Sequence, residues 1–287
     1  MAIGACAIAW GLWWLPVRWL ARSGLSGDLV SVAVYLGAAL LLAPWMLGRR
    51  RAALRSGTTL LIGVLLGAAL ALTNDALLRG DVVRVLLLFY LAPVWATLLG
   101  ALLLHVPLTL ARCGCVVAGV AGAAAVLGAG AGVPRPTSIG DWMGLLAGIA
   151  FAAGSLAVRR SEQSGKGGDA TSQTFASFVF AALIGAILVL QLSHASATSA
   201  VAVWSALPRA LLVSLVWLIP QTWLFTWGAR RLDPGRVSII MLAEPMVAVL
   251  SAAVLLHERP SARVLLGCLL IVCAALIETA GARPAAA

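Results

Sequence analysis

Long apolar runs alternate along the whole chain with short clusters of Arg, Gly, Pro and Ser. The runs fall near 2–20, 28–47, 58–78, 82–104, 110–130, 139–158, 173–193, 208–229, 235–256 and 262–280. A helix needs roughly 20 predominantly apolar residues to cross a bilayer, so each run predicts one span. The connections are too short to hold a separate soluble domain. The pattern therefore predicts an all-α membrane protein of ten transmembrane helices.

Part of that pattern occurs twice. Residues 81–109, DVVRVLLLFYLAPVWATLLGALLLHVPLT, align with residues 233–261, DPGRVSIIMLAEPMVAVLSAAVLLHERPS, at an offset of 152 with ten identities in 29 positions. Shared Leu and Ala carry little information in so apolar a chain. The pairs Asp81/Asp233, Arg84/Arg236, Pro93/Pro245 and His105/His257 carry more. A weaker match joins Ile8-Ala9-Trp10 to Ile149-Ala150-Phe151. The expected units are residues 1–132 and 133–287, each of five helices. Five is odd, so two such units in one chain enter the membrane in opposite senses. The prediction is an inverted repeat around a central cavity.

Composition agrees. Hydrophobic residues make up 62% of the chain, charged residues 10%, and the mean hydropathy is +1.03, which excludes an ordinary soluble domain. The net charge of +10 comes from arginines placed between apolar runs. No basic stripe is interleaved with exposed aromatics, so the charge reads as topology-setting and no nucleic acid is expected as a partner. With the N-terminus placed in the cytoplasm, twelve basic residues fall inside and eight outside. Both termini are then cytoplasmic. The apolar start lacks a basic leader region and reads as the first span rather than a signal peptide.

Five cysteines (Cys6, Cys113, Cys115, Cys268 and Cys273) lie within apolar segments without metal-ligand spacing. They predict packing residues rather than a disulfide or metal site. There is no H-E-x-x-H helix, no phosphate-binding Walker loop and no G-x-S-x-G elbow. The expectation is neither an enzyme nor a cofactor-dependent protein. A transporter built this way is a secondary one.

Candidate chemistry lies in the few polar or helix-breaking residues within spans. Pro93 and Pro245 sit mid-span, where proline removes a backbone hydrogen bond and kinks the helix. Both are candidate hinges beside a cavity. Glu244 lies at the same depth, where a carboxyl group is costly unless it faces the bundle interior. It either carries a proton, pairs with a cargo amine, or stays protonated against the backbone. Its repeat-mate is Ala92.

Asn74, with Thr73 and Asp75, forms a polar patch late in the third span. Gln221 follows Pro220 and either lines a cavity or ties two helices together. Arg18 either clamps a cargo carboxylate or reaches for the interface. His105 and His257 read as helix-end residues. Trp142, Trp204 and Trp45 suit interfacial belts. Trp10, Trp13, Trp14, Trp217, Trp223, Trp227 and Tyr90 are candidates for aromatic cavity walls or for helix packing.

The segments LAPVWATLLGALLL and LAEPMVAVLSAAVLLHERPS resemble the ends of paired EamA domains of the drug/metabolite transporter superfamily. His257-Glu258-Arg259 stands where that family commonly has Gly-Glu-Arg. Tyr90-Leu91-Ala92-Pro93 and IAWGLWWLPVR, through Trp10 and Arg18, look most like YddG-type amino-acid exporters. The resemblance implies ten helices in two inverted repeats. It also implies alternating-access export of amino acids, aromatic ones included, across the bacterial inner membrane. Tyr90 and Trp10 would contact the substrate, and Glu244 or Asn74 would supply polar recognition. Expected partners are a small-molecule substrate and membrane lipids, with a monomeric assembly. A drug, sugar or nucleotide-derivative carrier of the same superfamily is the alternative, and a non-transporting scaffold or lipid-binding protein is a further one.

Overall fold

The computed structural model describes residues 2–21, 27–49, 56–127, 135–165, 168–192, 200–255 and 261–280. Their regular structure is entirely helical, with no strand among the described residues. The helices are α1 (Ala2–Gly11), α2 (Trp14–Ala21), α3 (Gly27–Arg49), α4 (Gly57–Arg79), α5 (Val82–Phe89), α6 (Ala92–Leu104) and α7 (Leu110–Val126). There follow α8 (Ile139–Ser164), α9 (Ala170–Leu192), α10 (Ala200–Val213), α11 (Ile219–Ala229), α12 (Pro234–Met241), α13 (Ala243–Leu255) and α14 (Ala262–Ala280). Among the described residues, eight stretches are long and apolar enough to cross a membrane. α7 and Ala262–Ile277 of α14 are shorter apolar helices.

Why these helices begin and end where they do can be traced to single residues. Asp81 and Asp233 are N-caps whose side chains accept from the backbone N–H of Arg84 at 2.9 Å and of Arg236 at 3.1 Å. That satisfies one of the donors left open at a helix start, and it accounts for the Asp shared by the two matched segments. Ser138 and Asp141 form a reciprocal capping box at the start of α8. His105 ends α6 in the left-handed region at φ 54°, as expected of a helix-end residue. Its counterpart His257 lies outside the described residues, as does the side chain of Trp204.

Simple kinks were expected at Pro93 and Pro245. Instead, each span is divided into two helices just upstream of its proline. Leu91 N–H bonds the carbonyl of Leu88, three residues back, at 3.4 Å, and Leu242 N–H bonds that of Ile239 at 3.2 Å. The first span divides in the same way ahead of Pro16, where Trp13 N–H bonds the Trp10 carbonyl at 2.9 Å. Ahead of Pro220 the chain widens instead into a π turn, Ser214–Leu218. The shared cause is that proline offers no N–H to the preceding turn, which lets the helix tighten or widen there, whereas α3 and α10 run on through Pro44 and Pro208.

α8 packs against α4, α5 and α6, while α1 packs against α11, α12 and α13. Each therefore crosses to helices from the other part of the chain. Three glycines four residues apart make the α8 contact possible. A Cβ on Gly140 would lie 2.5 Å from the Gly80 nitrogen. One on Gly144 would lie 2.8 Å from the Val85 carbonyl oxygen, and one on Gly148 2.7 Å from that of Phe89. Phe89 is the residue whose carbonyl Pro93 cannot bond. Gly122 of α7 and Gly267 of α14 approach each other in the same way.

Ion pairs tie the ends, each with at least one buried partner, Asp141 in one and Arg112 in the other. Arg84 bonds Asp141 at 3.2 Å at one end of the bundle, and Arg112 bonds Asp233 at 3.1 Å at the other. The outer surface is apolar, with Leu102 72% and Leu190 84% exposed. Cys113 faces outward and Cys115 inward, and neither is bonded to another cysteine.

Replacing Gly148 with Ala is expected to destabilise the protein by about 1–3 kcal/mol, because the added methyl meets backbone rather than a movable side chain. Gly4→Ala, which meets nothing within 4 Å, is the control and should be neutral or slightly stabilising. Thermal unfolding of both variants in detergent checks this; equal midpoints would refute it.

Candidate functional site

At the level of the two helix divisions lies a cavity of about 140 Å³. α1, α4, α5, α6, α8, α11, α12 and α13 all contribute to its wall. Its apolar part is a run of touching rings. Tyr90 meets Phe89 edge-on at 5.5 Å, Phe89 lies 5.8 Å from Phe151, and Phe151 lies 5.1 Å from Phe225. Trp10 and Trp13, 5.9 Å apart, also line the wall. Such surfaces bind flat apolar groups through area and ring-edge electrostatics.

Glu244 is the single charged residue among the described lining residues. It sits in the first turn of α13, where the positive end of the helix favours a carboxylate. Gly11 sets its distance from α1, since a Cβ there would lie 2.6 Å from the Glu244 carbonyl oxygen. Tyr90 lines the same cavity. It follows the last residue of α5, so the division of the span places the ring on that wall.

Asn74 lines the cavity, but its amide is already engaged. It donates to the Tyr35 hydroxyl and to the Leu70 carbonyl at 3.0 Å. Its side-chain oxygen is the atom left for a ligand. Asp75 points away, bonded by Arg79 at 2.6 Å. Pro93 lines the cavity too, whereas Pro245 is buried outside it.

Arg18 does not reach the cavity; its guanidinium lies over the Trp14 ring, 5.0 Å from the centroid. Gln221 is also absent from the wall. It is buried, its side-chain nitrogen and oxygen have no hydrogen-bond partner, and its backbone carbonyl accepts from the Cys6 thiol at 3.3 Å. Trp14, Trp217 and Trp223 donate to Ser251, the Ala9 carbonyl and Thr171 rather than lining the wall. Trp227 lies against Arg231.

Phe89 and Phe225 look like any aromatic in an apolar run, and Ser238 like any small residue of a helix start; Phe151 was marked only as the mate of Trp10 in the weaker match. Thr222 could have been found, because it directly follows the polar Gln221 after Pro220.

The two ends of the cavity are built differently. Toward the Arg84–Asp141 end the wall continues through Asn74, Leu77 and Leu86. Toward the Arg112–Asp233 end it meets a dry cluster of Ile3, Ile62, Val158, Ala229 and Val237. There α6 packs on α12, while α5 and α13 make no comparable contact.

The pattern described as the EamA-like transporter family matches residues 1–128 and 138–279. No curated protein matches the chain. A solved structure described only as "Crystal structure of protein" is 22% identical, covers 97% of this chain and 95% of its own, and superposes with a TM-score of 0.71. That likeness speaks for the fold alone.

That difference between the ends predicts unequal labelling. With Cys113 and Cys273 changed to Ser, a water-soluble maleimide should modify Leu77→Cys and spare Ile62→Cys in the purified protein. Equal modification of both would refute the closed end.

Proposed function

The chain belongs to the EamA-like transporter family, whose members are multi-pass membrane transporters of small substrates, and on that premise we propose that it exports amino acids, aromatic ones among them, across the bacterial inner membrane. The observation that carries this reading is the cavity itself: rings of Trp10, Trp13, Phe89, Tyr90, Phe151 and Phe225 around one carboxyl group. The rings suit an aromatic side chain, and Glu244 suits an amine.

The mechanism is alternating access around that cavity. Ten spans form two inverted five-helix units, 1–132 and 133–287, with both termini cytoplasmic. The exchange of α1 and α8 between the two sets of helices supports this arrangement, as do the matched Asp caps and prolines. The Arg112–Asp233 end is then the cytoplasmic one, and the cavity faces outward. Pro93 and Pro245 mark the hinges, because the tightened turns ahead of them are where a half-helix can swing without breaking further backbone bonds. Energy comes from an ion or substrate gradient, since the chain has no nucleotide-binding loop.

A second reading has a specific observation in its favour. The wall offers one negative side chain and no positive one, which also suits an aromatic organic cation. Proteoliposome flux separates the two. Saturable efflux of an aromatic amino acid supports the first reading; its absence alongside efflux of an aromatic cation supports the second. Under either, Glu244→Gln removes the partner of the cargo's positive charge and should lower flux about 10–100-fold, the cost of a hydrogen bond to a charged group. Unchanged flux would remove Glu244 from recognition.

A further inference from the structure

Hydroxyls buried in helices normally donate to the carbonyl three or four residues back. This protein follows that habit at Thr73, Ser155, Ser177, Ser214 and Thr226, whose hydroxyls bond the carbonyls of Ala69, Phe151, Gln173, Ala210 and Thr222 at 2.7–2.9 Å. Thr222 and Ser238 depart from it. Both are buried, at 5% and 2% exposure, and neither hydroxyl has a hydrogen-bond partner. Both line the cavity that holds Glu244, Thr222 from α11 and Ser238 from α12. Thr97 also lacks a partner, but it lies outside the cavity wall.

A buried hydroxyl without a partner is costly, so two of them on residues of one cavity wall point to a ligand that satisfies them as the wall adjusts around it. Each has a proton to donate, and the group that takes it is a hydrogen-bond acceptor. Glu244 offers the opposite chemistry and takes a donor or a cation. The wall thus holds two complementary stations. Arg18, the sequence candidate for a carboxylate clamp, is engaged with the Trp14 ring instead. We propose that Thr222 and Ser238 form the acceptor subsite of the cargo site, binding the carboxylate oxygens of an α-amino acid whose ammonium group is held by Glu244. The proposal rests on the amino-acid reading above and specifies how the head group is recognised in a wall without a cation. It also sets selectivity: an amine lacking the acceptor group binds through Glu244 and the rings alone.

The test is calorimetric titration of the purified protein in nanodiscs with L-tryptophan, L-tryptophan amide and tryptamine. These share the indole and the amine and differ in the acceptor. The wild-type protein should bind tryptophan more tightly than tryptamine. Thr222→Val and Ser238→Ala should each weaken tryptophan binding about tenfold, the scale of one hydrogen bond to a charged group. Tryptamine binding should stay unchanged, which also reports that the variants fold. Weakening of tryptophan amide alongside tryptophan assigns the subsite to the carbonyl oxygen common to both. Tryptophan binding that survives both substitutions overturns the subsite and leaves the amino-acid reading standing, as does an equal loss of tryptamine binding. A wild-type protein that binds no tryptophan overturns that reading, and the subsite with it.

Discussion

In a bilayer every backbone N–H and C=O must find its partner within the protein, because no water is present to supply one. The rest of this structure depends on how that constraint is met at the prolines. Pro93 leaves the Phe89 carbonyl without its helical donor, and the span divides at Tyr90 and Leu91 into α5 and α6. The exposed backbone is not left to lipid. α8 is drawn against it, and it approaches so closely that Gly140, Gly144 and Gly148 leave no room for a side chain. The divided span at Pro245 is covered by α1 at Gly11 in a comparable way.

Function-bearing geometry follows from that cover. Continuous helices would hold Tyr90 and Glu244, each on its own span, at a fixed pitch. The divisions of the two spans instead bring the ring and the carboxyl group to the wall of one cavity. The same closeness brings Trp10 of α1 and Phe151 of α8 to the cavity from the two crossing helices. These two residues belong to the weaker matched triplets of the sequence, Ile8-Ala9-Trp10 and Ile149-Ala150-Phe151.

The matched segments are alike in scaffold and unlike in chemistry. Asp81 and Asp233 do the same capping at both starts. Beyond the caps the copies diverge. Arg84 reaches Asp141 of α8, whereas Asp233 is shared by Arg236 and Arg112. Ala92 stands opposite Glu244, so one half-helix N-terminus carries a carboxylate and the other does not. The packing is unequal as well: α6 meets α12, and the opposite pair stays apart.

The sequence by itself determined what composition and local bonding can settle. Apolar runs gave the helices and most of their limits, since crossing a bilayer depends on length and hydropathy alone. The prolines marked the depth of the site, and Glu244, Tyr90, Trp10 and Asn74 stood out because a polar or aromatic residue at that depth is costly to place idly. Tertiary structure decided the rest. It turned the expected kinks into divisions, because whether a turn bends or tightens depends on the neighbour that covers it. It moved Arg18 onto Trp14 and left Gln221 outside the wall. It also singled out Thr222 and Ser238, whose lack of partners is a property of their surroundings and not of their type: a hydroxyl in a helix satisfies itself locally unless packing holds it otherwise.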